Sequence, residues 1–213
     1  MLEKIGQPYY EKLSTENNDV IAYLKEIQDR KQGLIVAEIG VGIGATSKAV
    51  YELLSPEDYL FLADYEEKVQ VLQRELEQLP HDGPQIIALG NSSKLLDSYA
   101  WTFAEELCRG WQFDMIFLDG AHNFVFDGLI CAMAVRGLKK DGYLLVDDVN
   151  FTMCELIEHN SQKREQIETM YTTKQQNSAQ LALALRCFIE GLEEFQEMPF
   201  SGGRAFRKKG LNR

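Results

Sequence analysis

Two short stretches carry most of the residues able to do acid–base or metal chemistry: Asp119-Gly120-Ala121-His122 and Asp147-Asp148. Each directly follows a short apolar run that reads as a buried strand. In a parallel, doubly wound sheet the C-terminal strand ends line one crevice, so the three carboxylates and the imidazole are expected to converge. Such a cluster repels itself unless a cation or a proton relieves it. Two chemistries would use it. Asp119, Asp147 and Asp148 would hold Mg²⁺, a hard cation that prefers carboxylate oxygen and lowers the pKa of a bound hydroxyl. Alternatively His122, whose ordinary pKa lies near neutrality, acts as general base with Asp119 or Asp148 orienting it, and no metal is needed. The two are compatible.

A third stretch can hold a ligand. Val36-Ala37-Glu38-Ile39-Gly40-Val41-Gly42-Ile43-Gly44-Ala45-Thr46-Ser47 places three glycines between an apolar strand and a helix, a turn that lets a ligand approach backbone N–H groups closely. Gly40, Gly42 and Ala45 also satisfy a variant dinucleotide fingerprint, with Asp64 about 20 residues on. Glu38 separates the readings: a carboxylate at that strand end repels a pyrophosphate and suits an ammonium or sulfonium group.

The elements that position these residues follow from hydrophobic periodicity. Leu34–Ile39, Tyr59–Ala63, Gln85–Leu89, Asp114–Leu118 and Tyr143–Asp147 are continuous apolar runs, as expected of strands buried on both faces. Between them Val69, Leu72, Leu76 and Leu79 share a helix face, as do Leu95, Leu96, Tyr99, Phe103 and Leu107, and then Phe126, Leu129, Ile130 and Met133. The alternation predicts an α/β fold, a doubly wound, mostly parallel seven-stranded sheet. An apolar helix is expected around Ala179–Phe195. Glu194–Phe200 and Arg204–Lys209, joined through Ser201-Gly202-Gly203, predict a C-terminal antiparallel hairpin. The chain 1–213 reads as one domain, with a helical cap over 1–32 and a lid or insert over 151–177 placed to cover the crevice.

Glu38-x-Gly40-x-Gly42-x-Gly44, together with this pattern over about residues 34–150 and the final hairpin, resembles the class I S-adenosylmethionine-dependent methyltransferases, whose fold is Rossmann-like. The likeness is greatest to the small-molecule O-methyltransferases of the catechol and macrocin types. It implies that Glu38, Gly40, Gly42 and Gly44 hold the methionine half of S-adenosyl-L-methionine and that Asp64 accepts the ribose hydroxyls. It further implies that Asn91 and Ser92 contact the adenine, with Asp119 close by. Catechol-type relatives have acids matching Asp119 and Asp147 and an Asn where this chain has Asp148; many have an acid near Asn91. Competing readings are a nicotinamide-dependent oxidoreductase and a non-catalytic cofactor-binding protein.

Composition narrows the partners. With 22 Lys+Arg against 33 Asp+Glu in 213 residues, the net charge is −11, which disfavours nucleic acid and anionic membranes. No run is long and apolar enough to span a membrane, and the N-terminus lacks the apolar stretch of a signal peptide. A cytoplasmic protein acting on a small molecule is expected, with a homodimer left open. Cys108, Cys131, Cys154 and Cys187 have no metal or dithiol spacing and read as buried free thiols. His81 and His159 read as surface residues, Trp101 and Trp111 as core. Phe124, Phe126 and Phe151 read as core or as walls of the pocket. Arg204, Arg207, Lys208, Lys209 and Arg213 read as charges defending an exposed strand edge.

Overall fold

The computed structural model describes residues 1–94 and 96–210. Among them, seven strands form one sheet: β1 (Ile35–Ile39), β2 (Tyr59–Tyr65), β3 (Gln85–Asn91), β4 (Phe113–Leu118), β5 (Leu138–Val146), β6 (Phe195–Met198) and β7 (Arg204–Lys208). Their order is β3-β2-β1-β4-β5-β7-β6. The first five run parallel, while β7 is antiparallel to both β5 and β6. The sheet is therefore mostly parallel with a C-terminal antiparallel hairpin, as the alternation predicts. β1 and β4 lie side by side although they are not consecutive, which makes the crevice above their C-terminal ends the switch point of the sheet.

Side chains alternate between two buried layers because successive strand residues point to opposite faces. Ala37, Ile39, Phe61, Ile116, Leu118 and Leu144 form one layer, covered by α4 (Tyr99–Cys108), α5 (Asp127–Gly137) and α9 (Gln180–Phe188). Val36, Leu60, Leu62, Met115, Phe117 and Leu145 form the other, covered by α1 (Asn18–Gln28), α2 (Ala45–Leu53) and α3 (Glu66–Leu76). The remaining helices are α6 (Met153–His159), α7 (Arg164–Met170) and α8 (Thr173–Gln176). Met153, Ile157 and Ile167 give them a small core of their own. Capping boxes at Thr152–Glu155 and Thr172–Gln175 start α6 and α8.

Several expectations are corrected. The last helix ends at Phe188, and Gly191 (φ 81°) reverses the chain so that Phe195 already belongs to β6. Helix α4 starts at Tyr99; Leu96 lies in the preceding turn and is exposed, and Leu95 lies outside the described residues. On α5 the buried stripe is Ile130, Cys131 and Ala134, which leaves Leu129 exposed. Trp101 is exposed on α4, whereas Trp111 packs edgewise on Phe61 at 5.1 Å. All four thiols are free, but only Cys131 is buried; Cys108 and Cys187 are exposed. The basic strand β7 is interior, between β5 and β6. Arg204 pairs with Glu190 and Glu197, and Arg207 with Asp141, so these charges neutralise neighbours and defend no edge. Arg213 lies outside the described residues.

Candidate functional site

Three backbone hydrogen bonds extend the parallel ladders one residue beyond the strands and set up the site. Gly40 N–H donates to Ala63 O at 2.7 Å, Asp119 N–H to Ile39 O at 2.8 Å, and Asp147 N–H to Leu118 O at 2.9 Å. Gly40, Asp119 and Asp147 thus stand in a row along the C-terminal edge. A cavity of about 650 Å³ opens above them, lined by Glu38, the Gly40–Ile43 turn, Asp119, His122, Asp147 and Asp148. Its outer walls come from Lys12–Asn17 on one side and Phe151 and His159 on the other.

Two glycines in the turn act differently. A side chain at Gly40 (φ 88°) would overlap the Asp119 backbone carbonyl, so this glycine lets the two strand ends touch. A side chain at Gly42 (φ 54°) would meet nothing within 4 Å, so its backbone is open toward the cavity. Gly44 directly precedes α2.

Glu38 occupies a position whose ladder neighbours are Leu62 and Phe117. It is 3% exposed, and its Oε2 has no hydrogen-bond partner; neither has the buried Ser47 Oγ. Burial pushes the Glu38 carboxyl up to about 8. The Ser47 hydroxyl opposes this, although the pair does not meet hydrogen-bond geometry, and Asp119 and Asp64 add to it. An unpartnered buried carboxyl costs free energy, and a cationic ligand group would remove that cost.

Asp119 is held above the usual carboxylate range by burial, and also by Asp147 and Asp148. Its side chain nonetheless keeps 42% exposure at the cavity. His122 Nε2 lies 3.8 Å from Asp119 Oδ1, within ion-pair range for a protonated imidazole and too long for a hydrogen bond. His122 Nδ1 is buried without a partner. Asp119, His122 and Asp148 each offer a ligand atom within 4.8 Å of the others, a donor set that fits a divalent cation. Asp147 also lines the cavity, with both oxygens engaged by neighbours: its Oδ2 accepts from Asn17 Nδ2 at 3.0 Å and its Oδ1 from Asp148 N–H at 2.9 Å. Both His122 (φ 52°) and Asp148 (φ 47°) are left-handed, which is uncommon for residues with a side chain and frequent at functional sites.

Asp64, Asn91 and Ser92 lie outside the lining of this cavity. Asp64 Oδ2 accepts from Val41 N–H at 3.2 Å and from Lys68 Nζ at 3.0 Å, so it pins the glycine turn. Asn91 is buried at the end of β3, with its Oδ1 unpartnered. Ser92 N–H donates to Asp97 Oδ2 at 2.8 Å.

Sequence reasoning missed three features. Tyr99 Oη donates to the fully buried Asp127 and accepts from Ala121 N–H at 3.0 Å, while Asp127 Oδ2 accepts from Asn123 N–H at 2.9 Å. Together they brace the turn that carries His122. His159, expected at the surface, is exposed but forms part of the cavity wall, its Nδ1 on Glu155 O at 2.7 Å. Asn17 reaches Asp147 across 130 positions of sequence. The Asn17-Asn18-Asp19 run signals a helix start, but nothing local signals that contact.

No protein-family model matches the sequence, and no curated protein does. Solved structures do match. A Staphylococcus aureus structure described as a caffeoyl-CoA O-methyltransferase superposes with TM-score 0.61 at 17% identity, over 98% of this chain and 92% of that one. An O-methyltransferase from Bacillus cereus in complex with SAH gives 0.58 at 14% identity, over 98% and 90%. The fold is the Rossmann-like methyltransferase fold. The methyltransferase MycE, in complex with Mg and SAH, shares it with TM-score 0.54 and 18% identity, over 88% of this chain and 48% of MycE. Within the methyltransferase fold, the row Gly40–Asp119–Asp147 occupies the switch-point edge where ligands of open α/β sheets bind.

Proposed function

We propose that the protein is an S-adenosylmethionine-dependent methyltransferase acting on a hydroxyl of a small molecule. The observation that carries this reading is Glu38, a buried carboxyl with an unpartnered oxygen that shares one cavity with the open Gly42 backbone and the Asp119–His122–Asp148 cluster. Glu38 would pair with the ammonium of the methionine moiety, and the Gly40–Gly44 turn would admit the ligand against its backbone. Asp64 and Asn91, at the ends of β2 and β3, would serve the ribose and adenine, Ser92 with them. S-adenosylmethionine supplies a methyl group already activated by its sulfonium leaving group. The chain must then align the acceptor oxygen at roughly 3 Å from that methyl and take its proton.

His122 is the residue for the proton. Nε2 accepts it from the hydroxyl, and the resulting imidazolium is stabilised by Asp119 at ion-pair distance. Asp119 and Asp148 would hold Mg²⁺, which when bound would supply a Lewis acid for the same hydroxyl. A nicotinamide cofactor is disfavoured, because its pyrophosphate would meet Glu38 at the strand end. Transfer of labelled methyl from S-adenosylmethionine to a panel of hydroxylated small molecules tests the reading. Turnover that disappears in His122→Ala supports it, and turnover unaffected by that substitution contradicts the assignment of the base. Turnover unchanged by chelation assigns the proton to His122 alone.

A further inference from the structure

Residues 2–16 lead to one side of the cavity; Leu2 packs against the core at the start of the segment, but no residue of it is fully buried. The segment forms two short 3₁₀ turns, Leu2–Lys4 and Pro8–Leu13, and neither has a buried residue. Yet Lys12, Leu13, Thr15 and Glu16 line the cavity. The segment is held at its ends. At one, Leu2 N–H donates to Glu75 Oε2 on α3 at 2.8 Å. At the other stands Asn17, whose bonds leave in three directions. Its Oδ1 accepts from the Asp19 and Val20 amides at 3.2 Å each and so caps α1. Its own N–H donates to Thr46 Oγ1 at 3.1 Å, on the helix that follows the glycine turn. Its Nδ2 donates to Asp147 Oδ2 at 3.0 Å.

We infer that Asn17 is a positioning residue, a latch that joins closure of the 2–16 segment to the arrangement of the acidic cluster. With Oδ2 held by Asn17 and Oδ1 by the Asp148 amide, Asp147 is fixed beside the cluster and Asp148 is the one of the two neighbours that faces Asp119 and His122. The bond to Thr46 ties the same residue to the glycine turn. Releasing Asn17 would therefore loosen the cavity wall, the Asp147-Asp148 turn and the mouth of the glycine turn together. The consequence for cofactor binding rests on the function proposed above; the latch itself does not.

The test uses a substitution that separates the cap from the latch. Asp caps helices as well as Asn does, so Asn17→Asp keeps α1 while replacing the amide donor with a like charge facing Asp147. In the free protein, hydrogen exchange of the residue 17 amide, which is bonded to Thr46 Oγ1, should speed up by roughly tenfold or more, as expected when loss of a hydrogen bond to a charged group releases the segment. The exchange of pair, Asn17→Asp with Asp147→Asn, remakes the bond with donor and acceptor reversed and should bring exchange back near the wild-type rate. Unchanged exchange in the single variant, or no recovery in the pair, overturns the latch. Calorimetry with S-adenosylhomocysteine then reads the coupling: the single variant should bind roughly tenfold more weakly, and equal affinity overturns the coupling. Wild-type protein that binds none of it contradicts the proposed function and leaves the exchange result standing.

Discussion

At the scale of single residues, the site is built by placing polar groups where the surroundings are apolar. Glu38 sits between Leu62 and Phe117 on adjacent strands, at a position that would suit valine or isoleucine. That conflict was legible in the sequence, because a lone acid inside the run Leu34–Ile39 breaks its apolarity. The choice between Asp147 and Asp148 was not legible. It depends on a left-handed φ at Asp148 and on a hydrogen bond from Asn17, which neither periodicity nor spacing encodes. The glycines also divide by environment in a way their shared spacing conceals. Gly40→Ala forces a methyl group into the Asp119 carbonyl and should lower the denaturation midpoint strongly or prevent folding. Gly42→Ala meets open space, so it should cost only about 1–2 kcal/mol for the left-handed backbone while its methyl obstructs the ligand. Thermal melts and S-adenosylhomocysteine titrations of the two variants check this, and equal destabilisation by both would refute the division.

At the scale of elements, the strands were readable because continuous apolar runs flanked by amphipathic segments have few other solutions. Helix limits were less so. The end of α9 is decided by Gly191 and the demands of β6, and the exposed Leu129 by which side of α5 faces α9. The turn from Asp119 to Asn123 depends on α4 and α5 together, since Tyr99 comes from one and Asp127 from the other. Tyr99→Phe removes the acceptor of the Ala121 amide and the donor to a buried carboxyl. It should destabilise the protein by about 1–3 kcal/mol in chemical denaturation, the cost of unsatisfied buried polar groups. A neutral result would mean that the turn holds itself without α4.

At the scale of the whole molecule, the well-bonded buried acids Asp58 and Asp114 and the unpartnered Glu38 lie at opposite edges of the sheet. At the N-terminal edge Asp58 accepts from Leu34 N–H and Ser55 N–H, and Asp114 accepts from Ile35 N–H and pairs with Lys31 and Lys139. At the C-terminal edge Glu38 Oε2 has no partner, and the Asp119 carboxylate accepts no hydrogen bond among the described residues. Part of the net charge of −11 is thus concentrated where a cationic ligand would relieve it. Glu38, Asp119, Asp127 and Asp147 are all held above their ordinary values of about 4, chiefly by burial. In the window above that value the native state holds more protons than the unfolded chain, so their contribution to stability is present at low pH and lost as pH rises. For Glu38 the loss runs up to about pH 8. The melting temperature of the free protein should therefore fall between about pH 5 and pH 8, and Glu38→Gln should flatten the fall; a rise across that window would contradict the assignment. The most direct measurement is calorimetric titration of the wild-type protein with S-adenosylhomocysteine and with NAD. The expected result is saturable binding of S-adenosylhomocysteine, weakened in Glu38→Gln by roughly tenfold or more, and no binding of NAD. Binding of NAD with none of S-adenosylhomocysteine would contradict the proposal that this cavity serves methyl transfer.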